Sequence, residues 1–141
     1  MEISIGGRDI PLALTTYELI AIQEDCGCTI GQLRDHVFGI EHNIETDEYT
    51  FSLTTDREKL KKFGSLIRIL GNAGLEEAGQ EPDLTDKWIL RHMKPGMILP
   101  FVIILTQVIN DAMQMEAKAD NGNEPVDEGL EEEKRKKERE S

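Results

Sequence analysis

The chain of 141 residues carries 28 acidic and 16 basic side chains, which gives a formal net charge of -12. A chain of this length fits one domain and buries roughly two thirds of its unfolded surface. Nucleic-acid phosphates repel so acidic a chain, so binding to DNA or RNA is disfavoured. An inhibitor of nucleic-acid enzymes that mimics DNA would share this charge and stays as an alternative.

A tight β-hairpin is predicted at the start of the chain. Residues 3–5 and 10–12 alternate between apolar and other side chains on either side of Gly6-Gly7. A glycine pair between two alternating segments favours a hairpin, because glycine adopts positive φ at little cost. Pro11 cannot donate a backbone hydrogen bond, so its strand is expected at an edge.

Three capping patterns predict the starts of helices. In such a box a Thr or Ser caps the helix and a Glu or Gln three residues later reaches back to it. The pattern occurs at Thr15 with Glu18, at Thr29 with Gln32 and at Thr55 with Glu58. The first two predict short helices separated by a stop at Gly27. The third predicts a long helix with an apolar stripe that runs from Leu60 to Leu70.

The alternation from Tyr49 to Leu53 predicts a strand between these helices, and a turn at 46–48 favours a second hairpin that begins near Ile44. Three glycines weaken the far end of the long helix, because each costs about 1 kcal/mol relative to alanine. These are Gly71, Gly74 and Gly79. We attribute them to close packing.

The last predicted helix runs from Met97 to about Ala117, after a short helix capped by Thr85 and a break at 94–96. Pro100 is tolerated there because it lies in the first turn. The apolar run at 97–105 is shorter than the roughly 20 residues that span a bilayer. We therefore predict a buried core helix and no membrane segment.

These elements predict a mostly helical α+β domain over residues 1–118. It has an N-terminal β-hairpin, about five helices and a short strand or second hairpin. Residues 119–141 hold nine acidic and five basic side chains, a composition typical of a disordered tail. The tail is either a solvating appendage or an arm that folds on a partner. Glu, Lys and Arg can all be encoded by codons made only of purines, so residues 131–140 could be encoded by an uninterrupted purine tract. Such a tract can cause the ribosome to slip into another reading frame.

No pattern in the sequence predicts catalysis, a cofactor or a metal. The chain has no nucleophile elbow, no phosphate-binding loop and no H-E-x-x-H, so we predict that it is not an enzyme. Cys26 and Cys28 are poor partners for a structural disulfide, and no second Cys/His pair stands at ligand spacing. We expect reduced thiols, a cytosolic location and no signal peptide.

Three residues are candidates for binding a partner. Trp88 is the sole tryptophan, a residue type enriched at interface hot spots; the alternative is that it packs against the last helix. Met113 and Met115 lie near the end of that helix, and methionine suits adaptable binding surfaces. Their alternative is core filling.

Five segments carry a family resemblance through their order. They are Ile5-Gly6-Gly7, Ile20–Glu24, Gly27–Leu33, Leu66–Gly74 and Pro82–Thr85. Together they resemble the tail assembly chaperones of long-tailed bacteriophages and the related gene-transfer-agent proteins. The resemblance covers about residues 1–117, and the charged tail matches no pattern.

The resemblance implies a function without chemistry. Family members bind the tape measure protein and keep it soluble while tail tube subunits assemble around it. It also implies a location in the host bacterial cytoplasm, absence from the finished virion and, in many members, a longer form made by programmed frameshifting. The tail tube protein is a further candidate partner, and a homo-oligomer is left open. The alternative is a virion structural protein of the head–tail completion or tail terminator type.

Overall fold

The computed structural model describes residues 1–121, with side chains described as far as Gln114. In chain order the elements are β1 (Glu2–Ile5), β2 (Arg8–Pro11), α1 (Thr16–Cys26), β3 (Ile40–Asn43), β4 (Glu48–Phe51), α2 (Arg57–Glu77), α3 (Asp86–His92) and α4 (Ile98–Asn121). Short helical turns lie at Ile30–Gln32, Arg34–Phe38, Leu53–Thr55 and Pro95–Met97, and the second of these is π-helical. The two hairpins and the predominance of helix confirm the predicted α+β class.

Met1–Val108 form one compact unit, and a second unit begins at Ile109, part-way along α4. The helix continues through residues 119–121, four residues beyond its predicted end. The rest of the predicted charged tail, 122–141, lies outside the described residues.

The first hairpin confirms the sequence prediction. Ile3 pairs with Ile10 across β1 and β2, and both side chains are buried together with Ile5. Gly6 and Gly7 have φ values of 57° and 77°. Positive φ at both central residues gives the turn a twist that matches the strands.

The first two capping boxes are present. The Glu18 carboxylate accepts a hydrogen bond of 2.8 Å from the Thr15 backbone N–H. The Gln32 side chain accepts one of 2.9 Å from the Thr29 N–H. α1 ends at Gly27, whose φ of 69° is the left-handed cap conformation that glycine favours.

The third predicted capping box is wrong. Asp56, one residue later, caps α2 and accepts hydrogen bonds of 3.0 and 3.1 Å from the backbone N–H groups of Glu58 and Lys59. The Thr55 hydroxyl instead donates to the carbonyl of Ser52 at 3.2 Å. Aspartate is a strong capping residue, and here it satisfies two of the four free N–H groups of the helix start.

α2 lies at the centre of the first unit and packs against α1, α3 and β2. A Cβ added at Gly71 would lie 2.6 Å from Leu84 Cδ1, and one added at Gly74 would overlap the carbonyl of Pro11. Close packing therefore explains these two glycines, as predicted. Gly79 is different, since it has φ of 75° and open space around its Cα.

An ion-pair network joins three helices on one side of α2. Arg68 contacts Asp25 of α1 at 2.7 Å and Asp86 of α3 at 2.5 Å. The Ser65 hydroxyl donates to the second oxygen of Asp86 at 2.6 Å. A single arginine thus fixes the positions of α1 and α3 along α2.

The second hairpin starts earlier than predicted. β3 begins at Ile40, whereas Ile44 lies in the turn and Leu53 lies in a buried helical turn after β4. The prediction depended on the alternation of the second strand. The first strand, Ile40–Asn43, carries mostly polar side chains and shows no apolar alternation of its own.

α4 is not a buried core helix on every side. Its inner face is buried in the first unit through Ile98, Phe101, Val102, Leu105 and Val108. On the outer face Leu99 and Ile103 are 52% and 53% exposed. The predicted burial on all sides is therefore wrong. The run has more apolar residues than one buried face needs, and the surplus lies on the exposed face.

Pro95–Gln114, a segment of 20 residues with mean hydropathy 1.6, is long and apolar enough to cross a membrane by length and composition, and 33% of it is buried. The purely apolar run ends at Leu105, but the polar residues that follow as far as Asn110 are uncharged, so the longer segment stays apolar on average. Length and composition are also satisfied by amphipathic core helices, so they do not assign the segment to a membrane.

Candidate partner-binding surfaces

Trp88 lies half-buried on α3 and joins that helix to the first hairpin. Its ring stacks on His92 with centroids 4.5 Å apart, and the Arg8 guanidinium lies 5.9 Å from the ring centre. Arg8 also forms an ion pair of 2.7 Å with Asp83, and this hydrogen bond lowers the pKa of the Asp83 carboxyl. The side chains on the Trp88 ring thus come from β2 and from α3 itself. This arrangement gives Trp88 a role in holding the hairpin.

The two methionine candidates lie outside this unit. Met113 is on α4 in the second unit and is 40% exposed. Met115 continues the same helix, and its side chain lies beyond the described ones. The structure places Trp88 in the first unit and both methionines in the second.

Both cysteines are free thiols inside the first unit. Burial raises the pKa of Cys26 to about 12, and the nearby Cys28 and Asp25 add to this effect. Burial also raises the pKa of Cys28. Nucleophiles and metal ligands need the thiolate, which these surroundings disfavour. Among the side chains that the structure describes, no group of three His, Cys, Asp or Glu residues could hold a metal ion.

The outer face of α4, defined by Leu99 and Ile103, is the apolar surface that the sequence analysis missed. These residues are four apart, so they lie one above the other on the helix. The sequence from residue 95 to residue 110 contains no charged side chain, in a chain of which 31% is charged. The length of this uncharged run indicates an exposed apolar face, because one buried helix face needs only about half of the residues in such a run to be apolar.

A second apolar surface lies at the start of α1. Tyr17 and Ile20 are both exposed and three residues apart. A groove of about 290 Å³ runs from Tyr17 to the end of α2, where Glu76 and Glu77 line it. The groove therefore combines an exposed aromatic ring with carboxylates.

The second hairpin also carries exposed apolar side chains. Ile44 is 86% and Tyr49 is 64% exposed. The His42 ring stacks on Tyr49 at 4.4 Å and bonds to Asp47 at 2.8 Å. Arg34 of the π-helical turn lies 5.9 Å from the centre of the Tyr49 ring. A hollow of about 700 Å³ opens between this turn and β3.

No protein-family model, no curated protein and no solved structure matches this chain. The family resemblance therefore depends on the order of its motifs and enters below as part of a proposal.

Proposed function

We propose that the protein is a tail assembly chaperone, which binds the tape measure protein of a long-tailed bacteriophage in the host cytoplasm and keeps it soluble while the tail tube assembles. The observation that carries the proposal furthest is the uncharged, half-exposed outer face of α4 on a strongly acidic chain. The order of the motifs over residues 1–117 supplies the family. The motif segments all lie before α4 in the chain, so they support the fold, and the binding surface is assigned to a helix outside them.

The outer face of α4 suits a helical, apolar client. Leu99 and Ile103 form a short ridge of the kind that packs into the groove of a second helix. A tape measure protein is long, helical and apolar, and uncovered apolar surface promotes aggregation. Covering part of that surface with α4 would remove it from water.

The charge of the chain supports the same function. A net charge of -12 surrounds the client with like charges when several copies bind along it, and such repulsion keeps assemblies soluble. The uncharged stretch at 95–110 keeps these charges away from the apolar contact. The binding surface and the solubilising surface would thus be separate parts of the same protein.

Co-expression tests the proposal. The chain is produced together with the tape measure protein encoded in the same locus, and the soluble fraction of the tape measure protein is measured with and without it. We expect a higher soluble fraction and a complex that co-purifies. Absence of a complex across several tape measure fragments would contradict the proposal.

Purified particles separate the proposal from its alternative. A chaperone should be missing from mature virions, whereas a completion or terminator protein should be present at a fixed copy number. Quantitative mass spectrometry of particles that have been separated from cell lysate gives the answer.

A further inference from the structure

We propose that the groove between the start of α1 and the end of α2 binds an arginine side chain of a partner protein, and that the carboxylates of the groove and the ring of Tyr17 hold its guanidinium group. The inference goes beyond the proposed chaperone function, because the groove lies away from α4 and its test does not depend on a tape measure protein.

The position of the groove follows from the antiparallel packing of α1 on α2. At one end of the pair, the Cys26 thiol of α1 donates to the carbonyl oxygen of Lys62 on α2 at 3.6 Å. At the other end the groove is lined by Thr15, Tyr17, Glu18, Ala73, Glu76 and Glu77. Its volume of about 290 Å³ is at the lower limit of small-molecule sites, which measure about 300–1,000 Å³. The groove therefore suits one long side chain.

The charge of the groove selects a cation. Of the described residues that line it, three are glutamates and none is a lysine, an arginine or a histidine. Neither Glu76 nor Glu77 forms an ion pair with a residue that the structure describes. Both lie in the last turn of α2, which holds no basic residue, and the helix dipole disfavours carboxylates there. A bound cation would offset this repulsion.

The buried Glu18 contributes an oxygen that lacks a partner. Glu18 is only 7% exposed, and its Oε1 accepts hydrogen bonds of 2.8 and 2.5 Å from the backbone N–H and the hydroxyl of Thr15. Among the described residues, none donates a hydrogen bond to Oε2 of this carboxylate. A buried acceptor without a partner is costly. A guanidinium group in the groove would supply the missing donor.

The ring of Tyr17 favours arginine over lysine. This ring is 76% exposed, and a planar guanidinium can stack on an aromatic ring while it donates two hydrogen bonds to a carboxylate. The chain contains the same combination elsewhere, since Arg8 lies 5.9 Å from the centre of the Trp88 ring and 2.7 Å from Asp83. A second copy of a chain with net charge -12 would be repelled, so the arginine belongs to another protein.

Titration of the ¹⁵N-labelled full chain with N-acetyl-arginine amide tests this inference by NMR. We expect saturable shifts of the backbone amide signals of residues 15–18 and 73–77. N-acetyl-lysine amide should bind at least about threefold more weakly, because it cannot stack. N-acetyl-citrulline amide, which has the shape of arginine without its charge, should bind at least about tenfold more weakly. Equal binding of the lysine compound, or no saturable shift at these residues, would overturn the inference.

Two matched pairs of variants locate the site. Glu77→Gln and Glu24→Gln each remove one exposed carboxylate, but Glu24 does not line the groove. Tyr17→Leu and Tyr49→Leu each remove one exposed ring, and Tyr49 lies on the second hairpin. We expect Glu77→Gln to weaken binding about fivefold and Tyr17→Leu about threefold. Glu24→Gln and Tyr49→Leu should each change binding less than about twofold.

Equal effects within either pair would overturn the inference. The dispersion of the amide signals shows whether each variant is folded. Sedimentation equilibrium tests the other occupant, a second copy of the chain. A native dimer that dissociates in Glu77→Gln would assign the groove to self-association and would contradict a partner of another kind.

Discussion

The contact between α2 and β2 makes Gly74→Ala the most informative test of the fold. The added Cβ would overlap the carbonyl of Pro11 and lie 2.8 Å from the backbone nitrogen of Leu12. Because both neighbours are backbone, no side-chain rotation relieves the overlap, and β2 must move away from α2. Overpacking of this kind typically lowers the free energy of unfolding by about 1–3 kcal/mol. Because the neighbours here are rigid, we expect a loss of about 3 kcal/mol.

Helix propensity acts in the opposite direction at this position. Alanine is more favourable than glycine in a helix by about 1 kcal/mol. The net loss is therefore about 2 kcal/mol, which corresponds to a fall in Tm of roughly 8 °C for a domain of this size. Urea denaturation and thermal melting followed by circular dichroism measure both quantities.

Two further substitutions control the interpretation. An added Cβ at Gly96 meets nothing within 4 Å, so Gly96→Ala should change the free energy of unfolding by less than about 0.5 kcal/mol. Gly64→Ala lies on α2 and would contact the side chain of Leu90 at 2.9 Å, which can rotate away, so its loss should be intermediate. If Gly74→Ala were as stable as the native chain or more stable, the added Cβ would cause no overlap. The close contact between α2 and β2 would then be wrong.

Three other predictions concern the electrostatics of the first unit. Arg68→Met removes both ion pairs of the network and should lower the free energy of unfolding by about 1–2 kcal/mol in urea titrations; an unchanged midpoint would mean that the network contributes nothing. Because Cys26 and Cys28 are buried with raised pKa values, both thiols should react with Ellman's reagent at pH 8 only as fast as the protein opens, and a rate equal to that of a free thiol would contradict their burial. A hydrogen bond from the backbone N–H of Lys59 lowers the pKa of the Asp56 carboxyl. As the pH falls, the unfolded state therefore binds a proton at Asp56 before the folded state does. This stabilisation is complete above about pH 4, the unfolded value, and is lost as the pH falls through the lower folded value. Asp56→Asn should therefore flatten the dependence of the free energy of unfolding on pH below about pH 4, and an unaltered slope there would refute the assignment.

Local patterns in the sequence predict the elements whose structure is decided within a few residues. The Gly6-Gly7 turn and the boxes at Thr15 and Thr29 are of this kind, because backbone sterics and a hydrogen bond over three residues determine them. The cap of α2 was misplaced by one residue, since Thr55 and Asp56 can both cap and tertiary contacts choose between them. The strand at Ile40 was missed because its polar side chains show no apolar alternation.

The binding surfaces could be predicted less well, because exposure depends on contacts between distant segments. The run at 95–110 indicates an apolar helix, but its sequence does not say that Ile103 faces outward while Leu105 is buried. Trp88 was a reasonable candidate by residue type, yet one of the side chains on its ring, Arg8, is brought to it by the first hairpin. Tyr49 is predicted as a strand residue, but the alternation does not say that its face of the strand is exposed.

The central claim is that the outer face of α4 holds the tape measure protein, and a matched substitution tests it most directly. Ile103→Gln and Ile20→Gln each replace a helical isoleucine, and the two native residues are 53% and 55% exposed. The two changes therefore remove a similar area of apolar surface at different sites. Each variant is co-expressed with the tape measure protein, and the soluble fraction of that protein is measured. We expect Ile103→Gln to lower the soluble fraction strongly and Leu99→Gln to add to the loss, while Ile20→Gln leaves the soluble fraction near the native level. Equal soluble fractions for Ile103→Gln and the native chain would contradict the assignment of this face.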